Sequence, residues 1–461
     1  MSAKNLSEDQ SWTMRRLTAV TAVFLGVALV IIDSTIVNLA LPVLAQSLSV
    51  SDATSTWLVI AYQMVLVTLL FPSIVLASVL GRRQLFLLGI ALFTLASLGC
   101  CLAGSFGVLV CFRILQAAGG SAILSVNISL VEQLFPKRQL SRGLGLNTAT
   151  ISLSIILGPL IAGFILVHSS WHWLFAFNIP LGLFTLCAGH LFFPRERIHS
   201  TTSLTYSLET LVLAILFFAA CFSLLGIFSY GFPAWTALPA LPILALSTVF
   251  LVRSQRRAPI KLFPDALYAR TGFRASMFCL LFCFMAQSGT VLAMPFFFME
   301  FLGFDIADIS FLLICWPLLH ILASVSSGEL TARVSPNVLC LAGMVLCALG
   351  ILSIFLLESP ASLAQTAVRV AVCGLGFGLF QAPNDTVTLL WAPSALRTQT
   401  SAILAFMRTL GQTLGAMITA GALLWFPDAL ELSFVLAVFS AVLGIAAILT
   451  RSLLRVPEEQ A

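Results

Sequence analysis

Long apolar runs separated by short polar segments dominate the chain from residue 17 to residue 450. Each run is long enough for a helix to cross the hydrocarbon core of a bilayer, which takes about 20 residues. The windows lie at 17–45, 53–80, 84–104, 106–135, 143–168, 172–193, 206–228, 233–252, 275–301, 309–331, 336–357, 361–391, 400–426 and 430–450. The pattern predicts an all-α polytopic membrane protein with fourteen transmembrane helices.

The basic residues predict the orientation of these helices. If the N-terminus is cytoplasmic, the cytoplasmic segments hold every Lys and Arg except Arg113, Arg369 and Arg408, which fall inside windows. The opposite loops then hold none, as the positive-inside rule requires. Both termini are therefore expected in the cytoplasm. The net charge of +5 reflects this orientation and gives no reason to expect a nucleic-acid partner.

Composition and spacing exclude several classes of function. With 60% hydrophobic and 9% charged residues, the chain is far too apolar for a soluble globule, in which about 25% of residues are charged. The eleven cysteines and five histidines form no pattern that is typical of a metal site, and no nucleophile–base arrangement of an enzyme is visible. The lysines Lys4, Lys137 and Lys261 follow no glycine, which excludes a P-loop. We expect no cofactor and a gradient as the energy source.

A weak internal repeat divides the chain. Arg113 precedes Gly119 and Gly120 as Arg369 precedes Gly374 and Gly376, and each arginine opens the fourth helix of a six-helix group. Two such halves are typical of a transporter whose cargo site lies between them. The predicted divisions are a cytoplasmic N-terminus 1–16, a half 17–193, a linker 194–205, two extra helices 206–252, a basic linker 253–274, a half 275–450 and a cytoplasmic tail 451–461.

Asp33 and Arg113 are the candidate proton-coupling residues. Asp33 lies near the middle of the first window, where an ionised carboxylate is costly, so the default interpretation is a functional site. Burial disfavours its charged form, which would let it hold a proton, and a cationic cargo would favour the carboxylate instead. Arg113 is deep enough to need a partner. For both residues the alternative is a structural role, a helix-to-helix hydrogen bond for Asp33 and a salt bridge for Arg113.

Few other polar side chains lie within the windows, which favours a hydrophobic cargo that the site recognises with low specificity. The candidate cargo contacts are Asp33, Asn38, Gln63, Gln116, Asn127, Gln287 and Asp385. Asp385 could equally face the cytoplasmic vestibule. The candidate gating and structural residues are Gly81, Arg82, Arg83, Glu132, Gly158, Pro159, Gly163, Gly328 and Arg333.

Four motifs resemble those of the fourteen-helix drug/proton antiporters of the major facilitator superfamily, over essentially the whole chain. DSTIVNLALP at 33–42 is similar to the first-helix signature D-x-T-I-V-N-x-A-L-P. Arg113 with Gln116 resembles the helix-four motif, Gly158 with Pro159 and Gly163 the helix-five motif, and WHWLFAFNIPLG at 171–182 the segment that follows. Ser78 replaces the aspartate usual in the loop after helix two. Gating is therefore expected to rely more on Glu132 with Arg82 and Arg83.

The resemblance implies a major facilitator fold with two six-helix halves, two extra central helices and cytoplasmic termini. It implies an antiporter in the inner (plasma) membrane of a bacterium that exports lipophilic, often cationic, drugs such as quaternary ammonium compounds. The expected partners are that cargo, protons and membrane lipid, and no accessory protein can be named. A transporter of a metabolite, peptide or siderophore is the open alternative, followed by a membrane enzyme and a passive channel.

Overall fold

The computed structural model describes twelve stretches and single positions of the chain, and all the regular structure within them is helical. They are 14–135, 140–193, 209, 212–213, 215–217, 219–220, 223–224, 237–257, 265–331, 333–392, 396–426 and 432–454. Every predicted window except 206–228 coincides with a described helix. The window 206–228 lies largely outside the described residues.

The helices before residue 200 begin and end close to the predicted windows. They are α1 Met14–Ser47, α2 Asp52–Ser55, α3 Trp57–Leu80, α4 Arg82–Cys101, α5 Phe106–Leu134, α6 Leu140–His168, α7 Trp173–Ala176 and α8 Asn178–Phe192.

The later helices include one feature that the hydrophobic pattern did not predict. They are α9 Ala237–Arg257, α10 Asp265–Tyr268, α11 Thr271–Phe296, α12 Ile306–Leu330, α13 Pro336–Phe355, α14 Leu363–Leu390, α15 Arg397–Trp425 and α16 Leu432–Ser452. The unpredicted feature is a π-helical turn at Phe297–Phe301 that continues α11.

Within the described residues, eleven helices are long and apolar enough to cross a membrane. This confirms an all-helical, multi-pass membrane protein. In α9 the apolar stretch is shorter, at Leu238–Phe250, and α15 is more polar because it carries residues such as Arg397 and Arg408. The count of fourteen spans and the cytoplasmic location of the termini stay predictions.

The chain forms two compact units. The first comprises residues 1–37 and 64–218, and the second comprises 38–63 and 219–461. Residues 38–63, which hold the end of α1, all of α2 and the start of α3, therefore group with the second unit. The predicted domain boundaries are not tested by this division.

Each unit contains the same close helix crossing. In the first unit, a Cβ on Gly119 of α5 would lie 2.6 Å from the Gly89 oxygen of α4 and 2.7 Å from the Phe93 nitrogen. In the second unit, a Cβ on Gly343 of α13 would lie 2.6 Å from the Gly376 oxygen of α14. Only residues without a side chain allow two helix backbones to approach this closely. The two glycine crossings occupy equivalent helices, as expected for an internal repeat.

Two further glycines shape the first unit. Gly158 of α6 contacts Thr35 of α1 so closely that a Cβ there would overlap the Thr35 hydroxyl. Gly81, in the turn between α3 and α4, has φ of +87°, a conformation that glycine adopts without strain. The motif glycines thus hold α6 against the Asp33 segment and form the turn before Arg82 and Arg83.

The end of the chain differs from the expected tail. The predicted cytoplasmic tail begins at residue 451, whereas α16 continues to Ser452 and the Arg451 side chain is fully buried. The apolar pattern ends at Thr450, so hydropathy alone placed this arginine outside the helix.

We expect Gly119→Ala to destabilise the protein by about 1–3 kcal/mol, because the new methyl group would overlap the α4 backbone. The matched control is Gly107→Ala on the same helix, where a Cβ would meet nothing within 4 Å. Thermal unfolding of the purified variants in detergent measures both. Equal melting temperatures for the two variants would contradict the glycine crossing.

Candidate functional site

The Asp33 carboxylate lies at the centre of a buried polar cluster in the first unit. Its side chain is 1% exposed, and Arg113 Nη1 of α5 donates to its Oδ2 atom. Gln116 Nε2 donates to Asp33 Oδ1 over 2.9 Å, and Asn178 Nδ2 of α8 donates to the same oxygen over 2.7 Å. Both oxygens therefore accept hydrogen bonds, and one of their donors is charged.

Arg113 is held on several sides. Its Nη1 atom also donates to Gln116 Oε1 over 2.6 Å, and its guanidinium carbon lies 5.8 Å from the centre of the Phe175 ring of α7. Gln116 in turn donates to the Ser97 hydroxyl of α4 over 2.8 Å. The cluster thus joins α1, α4, α5, α7 and α8 through one ion pair and its neutral partners.

Local sequence explains how these side chains meet. Arg113 and Gln116 are three residues apart, so they share one face of α5. Asn178 begins α8 directly after the short helix α7, which also carries Phe175. On α1, the Thr35 hydroxyl bonds to the Ile31 and Ile32 carbonyls of its own helix and meets Gly158. The first-helix motif, the helix-four motif and the segment 171–182 therefore converge on one site.

The one ionisable acid of this cluster is Asp33, and a proton on its carboxylate would remove the ion pair with Arg113. Removing one partner of a buried ion pair costs about 3–5 kcal/mol, because the other charge is left uncompensated. Adding a proton to Asp33 has the same electrostatic effect on Arg113, since the carboxylate charge is lost.

Other candidates in the first unit lie apart from this cluster. Asn127 Nδ2 of α5 donates to Asn147 Oδ1 of α6 over 3.0 Å. Glu132 is exposed and, within the described residues, forms no ion pair with Arg82 or Arg83. Those arginines donate instead to the Ser129 carbonyl, over 3.3 Å, and the His190 carbonyl, over 2.7 Å. The role of Glu132 with Arg82 and Arg83 in gating stays a prediction.

The second unit contains a different ion pair. Arg408 of α15 donates to Asp385 Oδ2 of α14, and the two side chains are 30% and 27% exposed. The Arg408 guanidinium carbon lies 6.0 Å from the centre of the Phe284 ring of α11. Asp385, a candidate cargo contact, is therefore paired with an arginine that the sequence analysis did not assign to it.

The remaining candidates are placed but not brought into one site. Gln63 of α3 and Gln287 of α11 each have a buried Oε1 atom that accepts no hydrogen bond from the described residues, and Asn38 of α1 is half-buried. Pro159 and Gly163 are buried in α6, Gly328 lies near the end of α12, and Arg333 is exposed in the turn that follows. Arg369, the counterpart of Arg113, donates to the Ser353 carbonyl and not to an acid.

Sequence reasoning missed Asn178, Ser97 and Arg408. Asn178 lies inside the quoted segment WHWLFAFNIPLG, so the motif carried a signal that was not assigned to Asp33. Arg408 was visible as a charge within a window. Ser97 resembles many serines in apolar helices, and nothing in the sequence distinguishes it.

Comparison with known proteins gives a single family. The model of the Major Facilitator Superfamily matches residues 23–254 and 276–461. An uncharacterized transporter, YebQ, of Escherichia coli is 32% identical over 90% of each chain. Multidrug resistance protein Stp of Mycobacterium tuberculosis is 26% identical over 90% of this chain and 78% of its own. Riboflavin transporter RibZ of Clostridioides difficile is 25% identical over 85% and 84%.

A solved structure has the same fold. A bacterial homolog of the human lysosomal transporter Spinster, in an inward-facing and occupied conformation, superposes with a TM-score of 0.66. The match covers 96% of this chain and 98% of that one at 17% identity.

We expect Arg113→Gln to lower the free energy of unfolding by about 3–5 kcal/mol, because Asp33 would keep an uncompensated buried charge. The double variant Asp33→Asn/Arg113→Gln removes both charges and should be more stable than the single variant. The matched control, Arg408→Gln, breaks a partly exposed pair and should cost much less. Thermal or denaturant unfolding in detergent checks the order. A double variant less stable than Arg113→Gln would contradict the pairing.

Proposed function

The chain belongs to the Major Facilitator Superfamily, and from that membership we propose that it is a proton-coupled efflux antiporter for lipophilic, often cationic, compounds. A transporter of this superfamily works by alternating access around a site between its halves. The observation that carries the proposal is the enclosed ion pair of Asp33 with Arg113, which supplies an ionisable group where a bilayer would otherwise disfavour one.

Asp33 is the proton carrier in this proposal, and Arg113 is its reversible partner. In this proposal, the arrangement in which Arg113, Gln116 and Asn178 all donate to the Asp33 carboxylate belongs to the state without the transported proton. A proton on Asp33 releases Arg113, and a neighbouring cationic cargo favours the return of the carboxylate. Because the carboxylate is enclosed here, direct contact between Asp33 and a cargo belongs to another state of the cycle.

The energy of the proton gradient is comparable with the cost of this exchange. One proton crossing 100 mV releases about 2.3 kcal/mol, and a difference of one pH unit adds about 1.4 kcal/mol. Their sum, about 3.7 kcal/mol, falls within the cost of about 3–5 kcal/mol for breaking a buried ion pair. The energy available from one proton is therefore of the same order as the cost of separating the Asp33–Arg113 pair.

The cargo proposal rests on chemistry and on relatives. The candidate polar contacts are few, which suits drugs and biocides such as quaternary ammonium compounds, and one relative is named as a multidrug resistance protein. The riboflavin transporter among the relatives supports a second candidate, export or import of a physiological metabolite. We place the protein in the inner membrane of a bacterium, with both termini in the cytoplasm, and propose that it uses no cofactor.

Uptake of ethidium into inverted proteoliposomes with a pH gradient tests this function. We expect Asp33→Asn to lose accumulation against a gradient, so that ethidium reaches about equal concentrations inside and outside, since asparagine cannot exchange a proton. Asp308→Asn, at the start of α12, is the matched control and should accumulate ethidium normally. Undiminished accumulation by Asp33→Asn would refute the coupling role. Absence of ethidium transport by the wild type, with riboflavin transported, would favour the second candidate.

A further inference from the structure

Arg451 is a buried cation whose described hydrogen-bond partners are neutral side chains. Its side chain is 0% exposed, and within the described residues no carboxylate lies at ion-pair distance from it. Its hydrogen-bond acceptors are all neutral: Asn337 Oδ1 at 3.1 Å, Ser276 Oγ at 3.2 Å and Asn384 Oδ1 at 2.5 Å. Its Nη2 atom is buried and has no partner among the described residues. A buried guanidinium normally has an anionic partner.

A carboxylate lies one residue along α14 from Asn384, a partner of Arg451. Asp385 follows Asn384 on α14 and pairs with Arg408 through Oδ2, while its buried Oδ1 atom accepts no hydrogen bond from the described residues. One acid therefore lies near two arginines, and each arginine has a buried nitrogen left over.

We propose that Arg451 is a second partner for Asp385 and takes the carboxylate from Arg408 when the transporter changes state. Arg451 then acts as a positioning residue for transport: it holds Asn384 in the present state and Asp385 in the other. The proposal rests on the function proposed above, because it assigns the exchange to the transport cycle.

The construction of α14 permits this exchange. Successive residues of a helix are rotated by about 100° about its axis. A rotation of this segment by about 100° therefore brings Asp385 to the position in front of Arg451 that Asn384 now occupies. Pro383 directly precedes the pair and has no N–H to donate, so the helix lacks one backbone hydrogen bond at this place. The segment after Pro383 can therefore rotate at lower cost than an uninterrupted helix.

The segment before Pro383 is fixed. Gly374 and Gly378 are in close contact with the backbone carbonyls of Trp316 and His320 on α12, and Gly376 meets Gly343 on α13. These contacts tie the first part of α14 to its neighbours. Rotation is thus confined to the part that carries Asn384 and Asp385.

Hydrogen exchange on the purified protein tests the rotation without cargo or gradient. We expect the amides of residues 384–387 to exchange at least about ten-fold faster than those of 374–378 in the same helix. Asn384→Asp gives Arg451 a permanent carboxylate and should slow exchange at 384–387 by about ten-fold and raise the melting temperature. Equal exchange rates along α14, or no slowing in Asn384→Asp, would overturn the proposal.

Ethidium transport separates a positioning role from a structural one. Arg451→Gln should bind ethidium with a Kd within about two-fold of wild type, because Arg408 still holds Asp385, yet transport about ten-fold more slowly. Arg451→Lys should recover part of the rate. Arg274→Gln, an exposed arginine of α11, is the matched control and should leave both quantities unchanged.

Asn384→Asp keeps the proposal testable if Arg451→Gln does not fold, because it gives Arg451 a carboxylate partner and removes none of its existing partners. A more stable Asn384→Asp variant with normal turnover would show that Arg451 only supports the fold, and would overturn the proposal. If wild type transports no ethidium, the proposed function fails. The amide hydrogen-exchange rates still decide whether Asp385 switches from Arg408 to Arg451.

Discussion

The cost of an ionised carboxylate inside a bilayer governs the first unit of this protein. Asp33 cannot remain charged there without a full set of donors, and Arg113, Gln116 and Asn178 provide them from two other helices. Their positions in turn require the tight packing of α4 on α5 at Gly89 and Gly119. The glycines and the polar cluster therefore act together: the glycines let α4 and α5 pack closely, and α5 carries two of the three donors to the buried acid.

The two units share a scaffold but not their polar chemistry. The glycine crossing recurs on equivalent helices, yet Arg369, the counterpart of Arg113, bonds to a carbonyl. The candidate acid of the second unit, Asp385, pairs instead with Arg408 and is about one quarter exposed. A charge pair that is open to solvent is weaker than an enclosed one, because water screens it. An internal repeat can thus preserve backbone packing while each unit acquires its own ionisable groups.

Hydropathy predicted the helices well because a membrane span is set by length and composition. It also singled out Asp33 and Arg113 individually, since any charge within an apolar window is conspicuous. It did not pair them, and it missed Asn178 and Ser97, because partner choice depends on helix packing that a single sequence does not contain. Arg451 was assigned to a tail for the same reason: its burial depends on Asn337 and Asn384, which are distant in the chain. The π-helical turn after α11 leaves no mark on the hydrophobic pattern.

The central claim is that one proton on Asp33 is exchanged against a bound cation. The most direct test is the proton count when ethidium binds to purified protein in weakly buffered detergent solution. The account predicts that wild type releases protons on binding and that Asp33→Asn binds ethidium without releasing any. Equal release from the two proteins, or binding by wild type without release, would contradict it.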